Sequence, residues 1–230
     1  MSNDGKEEYQ RRVEATTRVV LRPLASPLPL AFFAFGIGSV LQSALQFGVI
    51  PTGEARDLAF LLGTFVFPAQ LLAGLLAFPS RETLGATAIC LLSFSWPATA
   101  ILLYLEPGGT SNALGVLYLL VALILASLGS VALLGKPLLA GVIALATARY
   151  ALNGLYELTE AGGLQPVSGV IGCLIGIIAF YSGLAFGIED TLHRTVLPIG
   201  RRGEARQAFD QDLGEQVGPV ETEAGVRKQL

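Results

Sequence analysis

A single arginine, Arg149, lies inside a long apolar stretch and is the side chain with the clearest capacity for chemistry. The stretch covers about residues 138–158 and is long enough to cross a membrane as a helix. A lone arginine in the middle of such a helix costs roughly 2.5–3.5 kcal/mol on insertion scales. Its guanidinium therefore either attracts an anionic substrate, or it has a structural partner such as Glu157 or Glu106, or it reaches the membrane surface.

Three glutamines also lie at membrane depth. Gln42 and Gln46 belong to the first apolar stretch, and Gln70 belongs to the second. Uncharged amides are costly in hydrocarbon unless they face protein or water. These side chains therefore either line a wet path or hydrogen-bond neighbouring helices.

The sequence contains no pattern typical of an enzyme. It has no His-Glu-x-x-His zinc motif, no Gly-x-Ser-x-Gly nucleophile motif and no phosphate-binding loop. His193 is the only histidine, and Cys90 and Cys173 both lie in apolar runs, where we expect them to be buried small hydrophobic residues. We expect no catalytic residues, no metal, no cofactor and no binding of nucleic acid.

The elements that position these side chains are membrane helices. Hydrophobic residues make up 52% of the chain and charged residues only 14%, whereas soluble domains average about 25% charged. Apolar runs separated by proline, glycine and charged residues predict six helices, at about 27–50, 58–78, 83–105, 112–135, 138–158 and 164–188. The predicted fold class is an all-α integral membrane protein.

The chain divides into three parts by composition. Residues 1–24 form a charged N-terminal arm, residues 25–200 form the six-helix membrane domain, and residues 201–230 form a charged tail that we expect to be disordered. The first helix opens with Pro27 and Pro29, and proline suits the first turn of a helix because the N–H groups there have no intrahelical partner.

Lysine and arginine placement predicts the orientation. Six helices bring both termini to one side of the membrane, and the tails and loops on that side hold thirteen basic residues, whereas the loops on the other side hold only Arg56. The thirteen are Lys6, Arg11, Arg12, Arg18, Arg22, Arg81, Lys136, Arg194, Arg201, Arg202, Arg206, Arg227 and Lys228. Since basic residues stay on the cytoplasmic side, both termini are predicted to be cytoplasmic, in the inner (plasma) membrane of the cell.

The sixth helix carries a stripe of glycines at helical spacing. These are Gly169, Gly172, Gly176, Gly183 and Gly187. Small residues allow close approach of helix backbones, so we expect this helix to make the closest helix–helix contact; a pore-lining surface is the alternative.

Four segments resemble the acetate uptake transporters, a family that includes the bacterial succinate–acetate permeases. Ser26–Phe32 is similar to the Asn-Pro-Ala-Pro-Leu-Gly-Leu motif that begins helix one in that family, with Ser26, Pro27, Pro29 and Leu30 as the candidate motif positions. Phe67–Leu76, Gly85–Ala88 with Trp96, and Arg194–Gly200 (RTVLPIG) fall at matching places. The resemblance covers about residues 25–200.

This resemblance implies a six-helix protomer in a homohexamer within the lipid bilayer, with a pore inside each protomer for small monocarboxylates such as acetate. It also implies a narrow apolar constriction formed by Phe35, Leu92 and Leu145. The family has tyrosine where this chain has Leu92, and Arg149 is not part of the family pattern.

The sequence therefore predicts a transporter or channel for acetate or another small monocarboxylate, with or without proton coupling. Two alternatives remain: a pore for ammonium or another small solute, and a membrane scaffold or sensor that does not transport.

Overall fold

The computed structural model describes residues 25–80, 83–134, 137–192 and 194–200. The predicted arm 1–24 and tail 201–230 lie outside these ranges, as do Arg81, Lys136 and His193. Within them, six helices are long and apolar enough to cross a membrane. They are α1 (Leu28–Gln46), α2 (Ala55–Ala77), α3 (Thr83–Leu105), α4 (Asn112–Ala132), α5 (Pro137–Thr159) and α6 (Leu164–Leu192).

The predicted all-α fold with six membrane helices is confirmed, and only helix ends differ. α1 ends at Gln46 rather than at residue 50, because Gly48 takes the left-handed conformation (φ 73°) and its N–H donates to the Leu45 carbonyl at 3.0 Å. α6 continues to Leu192, beyond the predicted end at residue 188.

α2 contains a widened turn before its proline. A short 3₁₀ turn (Thr52–Glu54) leads into α2, which is regular over Ala55–Leu61, a π-helix over Leu62–Val66 and regular again over Phe67–Ala77. The π-turn lies directly before Pro68, which has no N–H to donate to the preceding turn and whose ring would crowd it. This irregular turn lies just ahead of Gln70.

The helices form a closed ring in chain order. Each of α1 to α5 packs against the next helix, and α6 packs against both α5 and α1. The outer surface carries large apolar side chains on several helices, including Phe60 (68% exposed), Leu123 (66%) and Ile177 (68%). An apolar exterior of this kind suits contact with lipid.

The glycines of α6 allow close packing against α1, as predicted. A Cβ atom added at Gly183 would lie 2.8 Å from the Phe33 ring, and one at Gly169 would lie 2.8 Å from the Phe47 ring. Contacts below 3.0 Å are too short for a real Cβ, so these positions require glycine while the Phe rings remain in place. The stripe thus forms the α1–α6 interface.

Candidate functional site

An apolar cavity lies between α1, α2, α3 and α5. It contains about 430 Å³ of space not filled by atoms, part of it open to the outside of the protein. The lining residues are Leu28, Ala31, Phe32, Phe35, Gln70, Gly85, Ala88, Ile89, Leu92, Leu139, Val142, Ile143 and Ala146. Most of them belong to the first halves of α1, α3 and α5. The cavity therefore occupies the half of the fold where these three helices begin.

The structure brings three of the sequence-predicted pore residues together in this cavity. Phe35, Leu92 and Gln70 all line it. Leu145 does not appear among the lining residues; it is partly buried against the hydrophobic core, and α5 presents Ile143 and Ala146 to the cavity instead. Successive residues of a helix point about 100° apart, so a shift of one or two positions changes the face completely. That Phe35, Leu92 and Leu145 form a constriction stays a prediction.

Gln70 is the one polar side chain in the lining, and a tryptophan orients it. The Trp96 indole Nε1–H donates to Gln70 Oε1 at 2.5 Å, and Gln70 is only 1% exposed. Because indole nitrogen is donor only, the amide oxygen must face Trp96. No described residue accepts a hydrogen bond from the Gln70 amide nitrogen. The amide nitrogen is therefore a donor without a described acceptor, but the surface exposed to the cavity is apolar throughout.

Beyond the cavity, the inner faces of α1, α3 and α5 become polar. Ser95 hydrogen-bonds Tyr150, and the Thr99 hydroxyl lies 2.5 Å from that of Tyr118. The Tyr118 and Tyr150 rings meet edge to face with centroids 5.4 Å apart. These bonds join α3, α4 and α5 through buried hydroxyl groups.

Arg149 lies in this polar half, and its partners are not those expected. It is 2% exposed, and its Nη1 donates to Ser43 Oγ at 3.0 Å, while Nη2 donates to Gln42 Oε1 at 3.1 Å and Gln46 Oε1 at 3.3 Å. In the part of the chain that the structure describes, no carboxylate pairs with Arg149. The expected partner Glu157 instead accepts a hydrogen bond from the Ser111 backbone N–H at 2.7 Å.

A second group of amides and hydroxyls extends this network to α6. Gln46 Nε2 donates to Asn153 Oδ1 at 3.0 Å and to Ser168 Oγ at 3.3 Å, and the Ser168 hydroxyl donates to Asn153 Oδ1 at 2.6 Å. Gly172 leaves the space that the guanidinium occupies, since a Cβ there would overlap Arg149.

Sequence reasoning identified Gln42, Gln46 and Arg149 but missed Ser43, Asn153, Ser168 and Gly172 as one network. Asn153 follows Arg149 by four residues, a spacing that places both on one helix face, and this signal was available in the sequence.

The N-terminal motif and the segment that follows α6 both contact α6. Pro27 precedes α1, Pro29 lies in its first turn, and Leu30 is exposed. The Ser26 backbone N–H lies 3.4 Å from Asp190 Oδ2 at the end of α6. In the segment that follows α6, the Pro198 carbonyl accepts a hydrogen bond from the Tyr181 hydroxyl at 2.9 Å. Each of these two segments that carried the family resemblance therefore contacts α6.

Comparison with known proteins agrees with this geometry. The chain is 27% identical over 183 residues to the succinate-acetate/proton symporter SatP of Escherichia coli K12, covering 77% of this chain and 96% of the symporter. It is 28% identical over 202 residues to an uncharacterized protein of Methanothermobacter thermautotrophicus, covering 82% and 97% of the two chains. No protein-family model matches the chain.

A solved structure has the same architecture. The bacterial acetate channel SatP superposes with a TM-score of 0.68 at 26% sequence identity, over 77% of this chain and 99% of that chain. The two SatP proteins are named a symporter and a channel rather than enzymes, which supports the expectation that this chain is not an enzyme. Its ring of six membrane helices marks the chain as an integral membrane protein, and its motifs and the SatP proteins support placing it with the acetate transporters.

Proposed function

We propose that this protein carries acetate or another small monocarboxylate across the inner membrane, as a channel or a proton-coupled transporter. The observation that carries the proposal is the apolar cavity within the ring of helices, lined by Phe35 and Leu92 with Gln70 as its one polar residue. A short carboxylate has an apolar tail and a charged head, and this lining offers contacts for both.

The cavity lining implies a physical basis for selection. A carboxylate that leaves water must either bind a proton or replace its water by protein donors. We infer that the Gln70 amide nitrogen becomes such a donor on turning toward the cavity, while Phe35 and Leu92 exclude water from the substrate's tail. Small acids with short alkyl chains should therefore pass more readily than large or strongly polar anions.

The arrangement in the membrane follows from the sequence and from the family resemblance. We propose that residues 25–200 are the transport domain, that both termini are cytoplasmic, and that six copies assemble with one pore in each protomer. The basic residues in the tails and in the loops on the same side support the orientation. The cavity would then open toward the cytoplasm, because α1, α3 and α5 begin on that side.

An ammonium pore is less well supported. Arg149 is a buried cation without a described carboxylate partner, and a positive charge in the polar half of the ring repels another cation. The same charge attracts an anion, which favours the carboxylate assignment.

Uptake into proteoliposomes tests the proposal. Purified protein is reconstituted, and uptake of labelled acetate is measured at a mildly acidic and a mildly alkaline pH, with propionate, lactate, succinate and ammonium as competitors. Saturable uptake that small carboxylates inhibit is the expected result. Absence of uptake of any carboxylate by correctly assembled protein would refute the proposal, and transport of ammonium alone would establish the alternative pore.

A further inference from the structure

The inner faces of α1 and α5 change from apolar to polar at the same level. On α1, Phe35 lines the cavity and Ser39 follows it by four residues; on α5, Ala146 lines the cavity and Arg149 follows it by three. Residues three or four apart lie on the same side of a helix, so Ser39 and Arg149 each come one turn beyond the cavity lining. Neither side chain lines the cavity itself; by helical spacing, each lies one turn deeper on the cavity-facing side of its helix.

Ser39 has an unsatisfied hydroxyl group. The residue is fully buried (0% exposed), and its Oγ is the one buried side-chain oxygen or nitrogen among the described residues without a hydrogen-bond partner. Its backbone carbonyl, in contrast, accepts a hydrogen bond from the Ser43 hydroxyl at 2.8 Å. A buried hydroxyl without a partner is unusual in a folded protein and points to a group that binds there.

Arg149 also retains donor capacity. Its guanidinium has five N–H groups, and the hydrogen bonds to Ser43, Gln42 and Gln46 use three of them. All three acceptors are neutral, so the positive charge is solvated by dipoles but not balanced by any described carboxylate. Ser43 links this cation to Ser39, because its hydroxyl accepts from Arg149 and donates to the Ser39 carbonyl.

We propose that Ser39 and Arg149 form a binding site for the ionised carboxylate group of the substrate at the inner end of the cavity. The inference rests on the proposed function and adds to it the position and the charge state of the bound substrate. The Ser39 hydroxyl donates to the carboxylate, Arg149 supplies the positive charge, and the substrate's alkyl tail extends toward Phe35 and the apolar lining. The ligand is an anionic short-chain monocarboxylate; a neutral amide of the same shape is rejected.

The rejection of a neutral amide follows from hydrogen-bonding chemistry. An ionised carboxylate accepts hydrogen bonds at both oxygens and gains from the guanidinium charge. A primary amide of equal size has only one acceptor oxygen, and its NH₂ group would face donors on Arg149. Acetate and acetamide therefore form a matched pair of probes that differ mainly in charge and acceptor number.

The test combines Ser39→Ala with transport and binding measurements on the full chain. Because the Ser39 hydroxyl has no partner, its removal is expected to leave the thermal stability of the ligand-free protein unchanged or slightly higher. The KM for acetate uptake is expected to rise about tenfold, the typical effect of losing one hydrogen bond to a charged group. Acetate, but not acetamide, should stabilise the wild-type protein against thermal unfolding, and Ser39→Ala should weaken that stabilisation.

Ser182→Ala is the matched control. Ser182 is equally buried, but its hydroxyl already donates to the Ile178 carbonyl at 2.7 Å within α6. Its replacement should leave the KM for acetate as in the wild type. Arg149→Gln is a second variant, expected to raise the KM at least as much as Ser39→Ala does. If the Arg149→Gln variant fails to fold, the Ser39→Ala variant still tests the proposed site.

The outcomes separate this inference from the proposed function. Wild-type uptake of acetate with an unchanged KM in Ser39→Ala would overturn the binding site but leave the transporter assignment intact. Equal stabilisation by acetate and acetamide would also overturn the site. If the wild-type protein transports no carboxylate, the proposed function itself fails.

Discussion

Replacing Gly172 by alanine would place a methyl group where the Arg149 guanidinium lies. On the backbone of α6, the added Cβ would overlap Nη1 of Arg149 and contact Oγ of Ser43. The guanidinium must therefore move, and the 3.0 Å hydrogen bond from Nη1 to Ser43 is lost. Because the arginine is 2% exposed, water cannot readily replace that bond.

The expected loss of stability follows from three contributions. Overpacking costs about 1–3 kcal/mol, and the lost bond between a charged donor and Ser43 adds about 1.5–3 kcal/mol. Alanine is better than glycine inside a helix by about 1 kcal/mol, which offsets part of the cost. Gly172→Ala should therefore lower the free energy of unfolding by about 1.5–5 kcal/mol.

Reversible unfolding in mixed detergent micelles measures this change, with Gly187→Ala as the control. Gly187 belongs to the same glycine stripe, but the nearest atom to an added Cβ is Pro29 Cγ at 3.9 Å, an ordinary contact. The control should be neutral or slightly stabilising. Gly172→Ala should also cost less in an Arg149→Ala background, where the collision with the guanidinium is gone and only the contact with Ser43 Oγ remains. An equal cost in both backgrounds would refute the reasoning.

Three further predictions concern the cavity and the tails. Trp96→Phe keeps an aromatic ring beside Phe35 but leaves Gln70 Oε1 buried without a donor. The free energy of unfolding should therefore fall by about 1–3 kcal/mol. A change smaller than the measurement error would show that the hydrogen bond between Trp96 and Gln70 contributes nothing to stability. Phe35→Ala widens the cavity, so butyrate should compete better against labelled acetate than in the wild type; an unchanged order of competitors would remove Phe35 from the selecting surface. Deletion of residues 1–24 and 201–230 should preserve uptake in proteoliposomes, whereas loss of uptake by an assembled protein would assign the tails a necessary role.

The positions of the six helices could be predicted from the sequence because a hydrocarbon layer imposes a simple rule. Each crossing needs roughly 20 apolar residues, and charged or proline-rich segments interrupt them. The residues at which the helices begin and end were less predictable. The residue at which α1 stops depends on Gly48 taking a left-handed conformation, whereas the apolar character of the chain continues to Ile50.

The residues that line the cavity could be predicted only as far as the motifs reached. Gln70 falls inside a segment that matches the family, Phe35 and Leu92 follow shortly after two other matched segments, and all three line the cavity. On α5 no such motif fixed the helix phase. The expected Leu145 therefore lies off the cavity face, which α5 supplies with Ile143 and Ala146.

The sequence by itself determined that this protein is a six-helix membrane protein with a charge that needs an explanation at Arg149. Only the tertiary structure decided what surrounds that charge. The nearest carboxylates along the chain suggested an ion pair, but packing of α1 against α5 and α6 supplied Gln42, Ser43 and Gln46 instead, and Gly172 supplied the space. Local sequence sets which residues share a helix face, whereas contacts between residues more than 100 positions apart depend on how the helices pack.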